Sequence, residues 1–208
     1  MEPQVDHKRV IGSYRAKRGV FEVVRVPDLQ YLAVDGHGDP NTPAFAEAAG
    51  ALFPVAYALR NESRSSLGRD YVVMPLEGLW WADDLEAFTT ARDKSRWAWT
   101  LLVMVPDWVD ADLLGLAVER VCHRAPARLG DVRLETRSEG LCVQTLHVGS
   151  FDDEAGVLEQ MHQDVIPAQG LRPAGSHHEV YLSDPRRTAP ERLRTILRQP
   201  VRPTTSKD

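Results

Sequence analysis

Cysteine is scarce, with two residues in a chain of 208. Cys122 and Cys142 cannot staple a secreted disulfide framework, and neither sits in a CxxC pair that would hold zinc. No run of about 18 apolar residues occurs, so no membrane helix is predicted. The N-terminal stretch MEPQVDHKRV has no apolar core of the kind a secretory signal needs. A reducing cytoplasm is the predicted setting. Positive charge is not in excess: 25 Lys and Arg face 30 Asp and Glu, a net of −5. That balance argues against general binding to nucleic acid.

Catalytic and metal motifs are missing too. There is no GxSxG elbow for a serine nucleophile. No HxxxH or HxH spacing occurs. His177 and His178 are neighbours that diverge on a strand, His147 ends a strand, and His37 lies in a Gly-rich turn. No metal and no cofactor is expected. The GHGD segment at 36–39 lacks the lysine and wider glycine spacing of a phosphate loop and reads as a strand exit. Cys142 reads as a buried thiol. Nothing near Cys122 marks it as a nucleophile.

What is present suits a soluble globular protein: 43% hydrophobic and 26% charged residues, enough chain for one large domain or two small ones. Residues 1–18 form a basic arm carrying Lys8, Arg9, Arg15, Lys17 and Arg18, and it reads as solvated. Residues 202–208 read as a loose tail. Between them the order of elements repeats. In the first half, about 19–108, FEVV and QYLAVDGHGD read as strands. A helix follows from Pro43 to Leu59, with Thr42 as its cap and Pro54 expected to kink or end it. DYVVMPLEGLWW and WAWTLLVMVP then read as strands. In the second half, about 131–201, VRLET and LCVQTLHVGSFDD are strands. A helix over about 154–166, capped by Asp152 or Asp153, follows, and then come HHEVYLSD and RLRTILRQPV. A linking helix over about 110–123, capped by Asp110, joins the halves. The predicted fold is α+β. Duplicated strand–helix–strand–strand units build a mostly antiparallel sheet, with helices on one face and a ligand cleft at the pseudo-twofold seam.

Chemistry concentrates in HHEVYLSDPRR. On a strand, His177, Glu179 and Tyr181 share one face, while His178, Val180 and Leu182 share the other. The apolar Val180/Leu182 face is the one expected to lie under helices. A carboxylate amid aromatic groups suits a delocalised cation, and a half-buried one can serve as general acid or base. The alternative is a Glu179 solvated on an open sheet face or paired with Arg186 or Arg187. In DYVVMPLEGLWW, Tyr71, Trp80 and Trp81 surround Glu77, in the element that corresponds to the strand of Glu179. Two carboxylates from matching strands can line one cleft. Trp97 and Trp99 share a face with Leu101 and Val103, as a core stripe or a ligand wall.

The element order and the segments YLAVDGHGDPN, DYVVMPLEGLWW and HHEVYLSDPRRTAPERLRTILRQP resemble the GyrI-like (gyrase-inhibitor-like) small-molecule-binding family over residues 19–201. The closing motif resembles the stand-alone subgroup, which includes dye-binding proteins and hydrolases of cyclopropane-bearing DNA-alkylating compounds. The resemblance implies a pocket glutamate at Glu179 and, in the hydrolases, a tyrosine, for which Tyr57 is the first candidate and Tyr71 the second. With that glutamate, the candidate ligand contacts are Tyr181, His177, Glu77, Trp80, Trp81, Tyr71, Trp97 and His147. The matching region begins near residue 19, so a fused DNA-binding domain and direct nucleic-acid contact are not expected. Three functions follow in order: a cytoplasmic binder of planar aromatic, often cationic, molecules; a hydrolase that opens cyclopropane rings and protects the cell; and a protein-interaction or inhibitor module. A separate protein partner stays open.

Overall fold

The structure is a computed structural model that describes residues 3–82, 94–124 and 126–204. In chain order its main elements are α1 (His7–Val10), β1 (Glu22–Val26), β2 (Leu29–His37), α2 (Pro43–Leu67), β3 (Leu76–Trp81), β4 (Ala98–Val105), α3 (Ala111–Cys122), β5 (Arg133–Arg137), β6 (Gly140–Val148), α4 (Ala155–Glu159), α5 (Ile166–Ala168), β7 (Leu171–Pro173), β8 (His177–Tyr181) and β9 (Arg194–Pro203). The class is mixed α+β with antiparallel pairing throughout the named strand pairs. The repeat of strands and helix is present. The chain divides into two compact units, Met1–Val10 with Leu29–Arg137, and Ile11–Asp28 with Ser138–Asp208. The leading strands are thus exchanged: β1 pairs with β6 and β5 pairs with β2.

In the first unit the strand order is β3-β4-β2-β5. Register puts Trp80 opposite Trp99, Leu101 opposite Val34, and Val103 opposite Leu32. Opposite residues of an antiparallel pair share a face. This face lies under α2, because Phe45 stacks on Trp80 with ring centroids 6.0 Å apart and meets Trp99 edge-on at 5.3 Å. The glycine of AVDGHG has a packing reason here. A Cβ on Gly36 would stand 2.0 Å from the Trp99 ring. That ring is fully buried and its Nε1 donates to the Gly38 carbonyl at 3.2 Å.

Helix α2 corrects the expected end at Leu59. It runs unbroken through Pro54 to Leu67 and stops at Gly68, whose φ of 67° is the left-handed conformation glycine accepts without penalty. Proline removes one helical bond, to the Gly50 carbonyl. Gly50 is exposed, so that carbonyl is not starved of water. Packing of Leu52, Val55, Ala56 and Leu59 outweighs the loss. Thr42 occupies the cap position, but its hydroxyl donates to the Asp39 carbonyl at 2.7 Å and makes no cap bond to the helix. Asp110 does cap α3, accepting from the Leu113 N–H at 2.9 Å.

In the second unit the strand order is β1-β6-β9-β8, with β7 on the far end of β9. The helical segment between β6 and β7 is irregular. A 3₁₀ turn (Phe151–Glu154) leads into α4, a π-helical stretch (Gln160–Val165) follows, and α5 closes it. Neither Asp152 nor Asp153 caps α4; Asp153 instead accepts from the Ser150 hydroxyl at 2.7 Å. Met161 and Ile166 reach the core five residues apart and pack with Val143, Leu197 and Val201.

Arg9, Arg15, Lys17 and Arg18 of the basic arm are exposed, but the arm is tied to the fold at several points. Val5 bridges to Tyr71, Arg18 bridges to Leu146, and Ser13 and Tyr14 are buried. At the other end β9 continues through Arg202 and Pro203, two residues into the stretch read as tail. Residues 205–208 lie outside the described residues. Among the described residues no helix is long and apolar enough to cross a membrane.

Candidate functional site

Strand register assembles the site in the second unit. Glu179 lies opposite Leu197, and Tyr181 opposite Thr195. On the other side of β9, Thr145 lies opposite Leu197, and His147 opposite Thr195. Leu197 packs against Met161 and Ile166 of the helical segment. The face carrying Glu179 and Tyr181 is therefore the helix-covered one. This reverses the expectation that Val180 lies under the helix. Alternation along a strand separates two faces, but only the partner strand and its packing say which one is covered.

Glu179 is held tightly. The Tyr181 hydroxyl donates to its Oε2 at 2.8 Å, and His177 Nε2 stands 3.5 Å from its Oε1. Its side chain is 14% exposed. Phe151, on the turn above, meets the Tyr181 ring edge-on at 5.7 Å. His162, on the π-helical stretch, lies 6.4 Å from the His177 ring. Burial and the charge of His177 push its pKa down to about 4, so it is neutral at physiological pH. Unusual helical turns are frequent at functional sites, and this one carries His162.

A second carboxyl joins the cluster, one the sequence reading passed over. Glu154 ends the 3₁₀ turn and is 5% exposed. It hydrogen-bonds to Thr195, the residue opposite both Tyr181 and His147. Burial, then the charge of Glu179, pushes its pKa up to about 9 against the bond from Thr195. At neutral pH Glu154 holds a proton. A carboxyl that keeps its proton beside a second carboxyl is one arrangement in which an acid and a base can be paired. The only hint in the sequence was its place in FDDE, where it read as the first residue of a helix.

His147 has a structural task as well: its Nε2 lies 2.9 Å from the Ser150 carbonyl, tying the turn that carries Phe151 and Glu154. His178 belongs to the opposite face. Its Nδ1 is 2.8 Å from Glu139 Oε1, and Arg198 donates to Glu139 Oε2 at 2.9 Å. Arg198 also donates to Gln144 Oε1 at 3.2 Å and to the Ser13 carbonyl at 2.7 Å. Arg186, one alternative partner for Glu179, instead grips Asp184 through two bonds.

The remaining candidates lie in the first unit. Glu77 is fully buried opposite Leu102, on the face turned away from α2. Glu179, by contrast, faces the helical segment of its own unit. The two carboxylates thus differ in orientation within their repeats. Trp80 is packed by Phe45 and meets Trp97 edge-on at 5.8 Å. Lys94 lies over the Trp97 ring at 5.8 Å. Trp81 ends β3 on the Glu77 face and is partly exposed. Tyr71 is buried edge-on against Trp108 at 6.2 Å, and burial pushes its hydroxyl pKa up. Tyr57 is 54% exposed. It lines a groove of about 400 Å³ between α2 and α3 with Phe53, Pro54, Asn61, Arg120 and Arg124. Among the described residues, no group of three or more His, Cys, Asp or Glu is arranged to hold a metal ion.

Comparison with known proteins identifies the fold and the family. The model of the GyrI-like small molecule binding domain matches residues 20–202. An uncharacterised conserved protein from Listeria innocua is 36% identical with a TM-score of 0.86, over 96% of this chain and all of that one. A hydrolase from Listeria innocua is 34% identical with a TM-score of 0.82, over the same shares. The C-terminal domain of EcmrR, 8% identical with a TM-score of 0.57 over 89% of this chain and 98% of that one, shares the fold alone. No curated protein matches the sequence. The chain belongs to the GyrI-like small-molecule-binding family.

Proposed function

From that membership we propose that the protein binds a planar aromatic small molecule beside Glu179 and hydrolyses it, with Glu179 as general base. The observation that carries this reading is the pairing of carboxyl groups. The Tyr181 hydroxyl donates to Glu179, His177 Nε2 stands 3.5 Å from it, and Glu154, linked to the cluster through Thr195, keeps its proton. A site built only to attract a cation has no need of a second, neutral acid. The relative that is a hydrolase, 34% identical over 96% of this chain, supports the same reading.

The substrate class is a compact electrophile, and the stand-alone subgroup directs the choice to cyclopropane rings conjugated to a carbonyl. Glu179 takes a proton from water. The water oxygen bonds to the ring methylene, one ring C–C bond breaks, and its electron pair moves to the carbonyl oxygen, which is then protonated. Turnover destroys the alkylating centre and so protects DNA. Tyr181, whose hydroxyl already meets Glu179, orients the base.

A second reading, binding without turnover, is favoured by Phe151 packed edge-on against Tyr181 beside the carboxylate. That arrangement suits a planar cation. One experiment separates the two. Purified protein is mixed with a cyclopropane-bearing, planar alkylating compound and followed by mass spectrometry, with Glu179→Gln in parallel. Gain of one water in the wild type, slowed about 10²- to 10⁴-fold in the variant, is the expected result. Compound recovered intact but bound, with affinity lost in the variant, would replace hydrolysis by sequestration. Neither binding nor turnover would remove both readings.

A further inference from the structure

We propose that Glu154 is the proton donor of this site, protonating the substrate oxygen while Glu179 takes the proton from water. The proposal rests on the hydrolase reading and adds to it the second half of the acid–base pair.

Geometry carries it. Glu154 is brought to the site by the 3₁₀ turn that leaves β6, and that turn is held by the His147 contact to the Ser150 carbonyl. Its carboxyl bonds to Thr195. Thr195 lies directly opposite Tyr181, whose hydroxyl donates to Glu179. Opposite side chains in such a pair stand roughly 5 Å apart at Cβ, so Thr195, hydrogen-bonded to Glu154, neighbours Tyr181, hydrogen-bonded to Glu179. The Oε1 atom of Glu154 is buried and has no hydrogen-bond partner among the described residues. An unsatisfied buried polar atom costs stability, typically about 1–3 kcal/mol. Evolution removes such a cost cheaply with an apolar residue, unless the atom has a partner to meet in use.

The electrostatic surroundings keep the group neutral. Glu179 on β8 and Asp152 on the same turn are the charges that raise its proton affinity, in addition to burial. From the other elements, Thr195 on β9 opposes them through its hydrogen bond, and His147 on β6 is committed to the turn. His177 leans on Glu179 rather than on Glu154, and His162 is neutral. The Glu179 charge acts on Glu154 alongside burial, so ionising both carboxyl groups together is disfavoured.

The protons balance. One leaves water for Glu179, one leaves Glu154 for the carbonyl oxygen as the ring C–C bond breaks, and the product is substrate plus water. The site then holds a protonated Glu179 and an ionised Glu154. Transfer of one proton between them, through solvent or along Tyr181 and Thr195, restores the start.

The test uses the full chain and two readouts. First, carbon NMR of protein labelled at the glutamate carboxyl carbons follows titration without substrate. A carboxyl titrating near pH 9 is expected in the wild type, absent in Glu154→Gln and moved toward lower pH in Glu179→Gln. The wild-type titration needs no variant, so a folding defect cannot obscure it. Failure to find any carboxyl titrating above pH 8 would overturn the proposal. Second, turnover of the cyclopropane-bearing compound is measured from pH 6 to 10. Wild-type kcat should fall above about pH 9, while Glu154→Gln should lose about 10²-fold or more in kcat together with that alkaline limb, at nearly unchanged affinity. Wild-type turnover with an unimpaired Glu154→Gln refutes the donor role alone. No turnover in the wild type refutes the hydrolase reading itself, and the donor role with it.

Discussion

Removing Glu139 should cost more stability than removing any surface charge, and the cost should vanish in acid. Glu139 joins His178 on β8 to Arg198 on β9, and Arg198 in turn holds the Ser13 carbonyl. Arg198 has no exposed surface, and Glu139 is 9% exposed. Burial resists ionisation of Glu139, but the charges and hydrogen bonds of His178 and Arg198 outweigh it. Together they take its pKa from 4.5 down to about 2. Each tenfold change in proton affinity is worth about 1.4 kcal/mol, so the native state favours the carboxylate by about 3 kcal/mol. That agrees with the roughly 3–5 kcal/mol cost of orphaning one partner of a buried ion pair. Because the folded pKa is depressed, this stability is fully present above pH 4.5 and is lost as pH falls toward 2. Glu139→Gln should therefore unfold in urea with a stability about 3 kcal/mol lower at pH 7. The gap to the wild type should close between about pH 4.5 and 2. A loss below about 1 kcal/mol at pH 7, or a gap that does not change with pH, would refute the argument that charge carries this contact.

Two further outcomes follow from packing. Gly36→Ala places a methyl 2.0 Å from the Trp99 ring. It should destabilise by about 1–3 kcal/mol or more and shift tryptophan fluorescence, read by thermal unfolding with emission spectra. Burial pushes the Cys142 thiol up to about 12, whereas Cys122 is exposed. Iodoacetamide at pH 8 should therefore modify Cys122 alone in the native protein and both thiols in denaturant, as counted by mass spectrometry.

Local rules carried a good part of this fold. Alternating β-branched and aromatic residues marked β2, β4, β6 and β8, and Asp110 announced α3 through the chemistry of its cap. Period-two alternation alone put His177, Glu179 and Tyr181 on one face, and the Tyr181–Glu179 bond follows from that spacing. The closing motif carried the family, because a motif of that length is read directly along the chain. Helix α2 outran its local rule: Pro54 predicts a break, yet long-range burial of Leu52, Val55 and Leu59 costs nothing locally and keeps the helix whole.

Partnership between distant segments decided the rest. Glu139 and Arg198 are 59 residues apart, and Ser13 and Arg198 are 185 apart. No periodicity links them, so His178 reads in the sequence as a loose neighbour of His177 and only the fold makes it an ion-pair partner. The exchange of β1 onto β6 and β5 onto β2 is likewise invisible locally, since either pairing satisfies the same alternation. The covered face of β8 depended on Leu197 meeting Met161 and Ile166. Glu154 became a candidate only when its turn folded over Thr195 and beside the charge of Glu179. Residue type and spacing determine which side chains point together, whereas proton affinity depends on what surrounds them, and that is settled by tertiary contact.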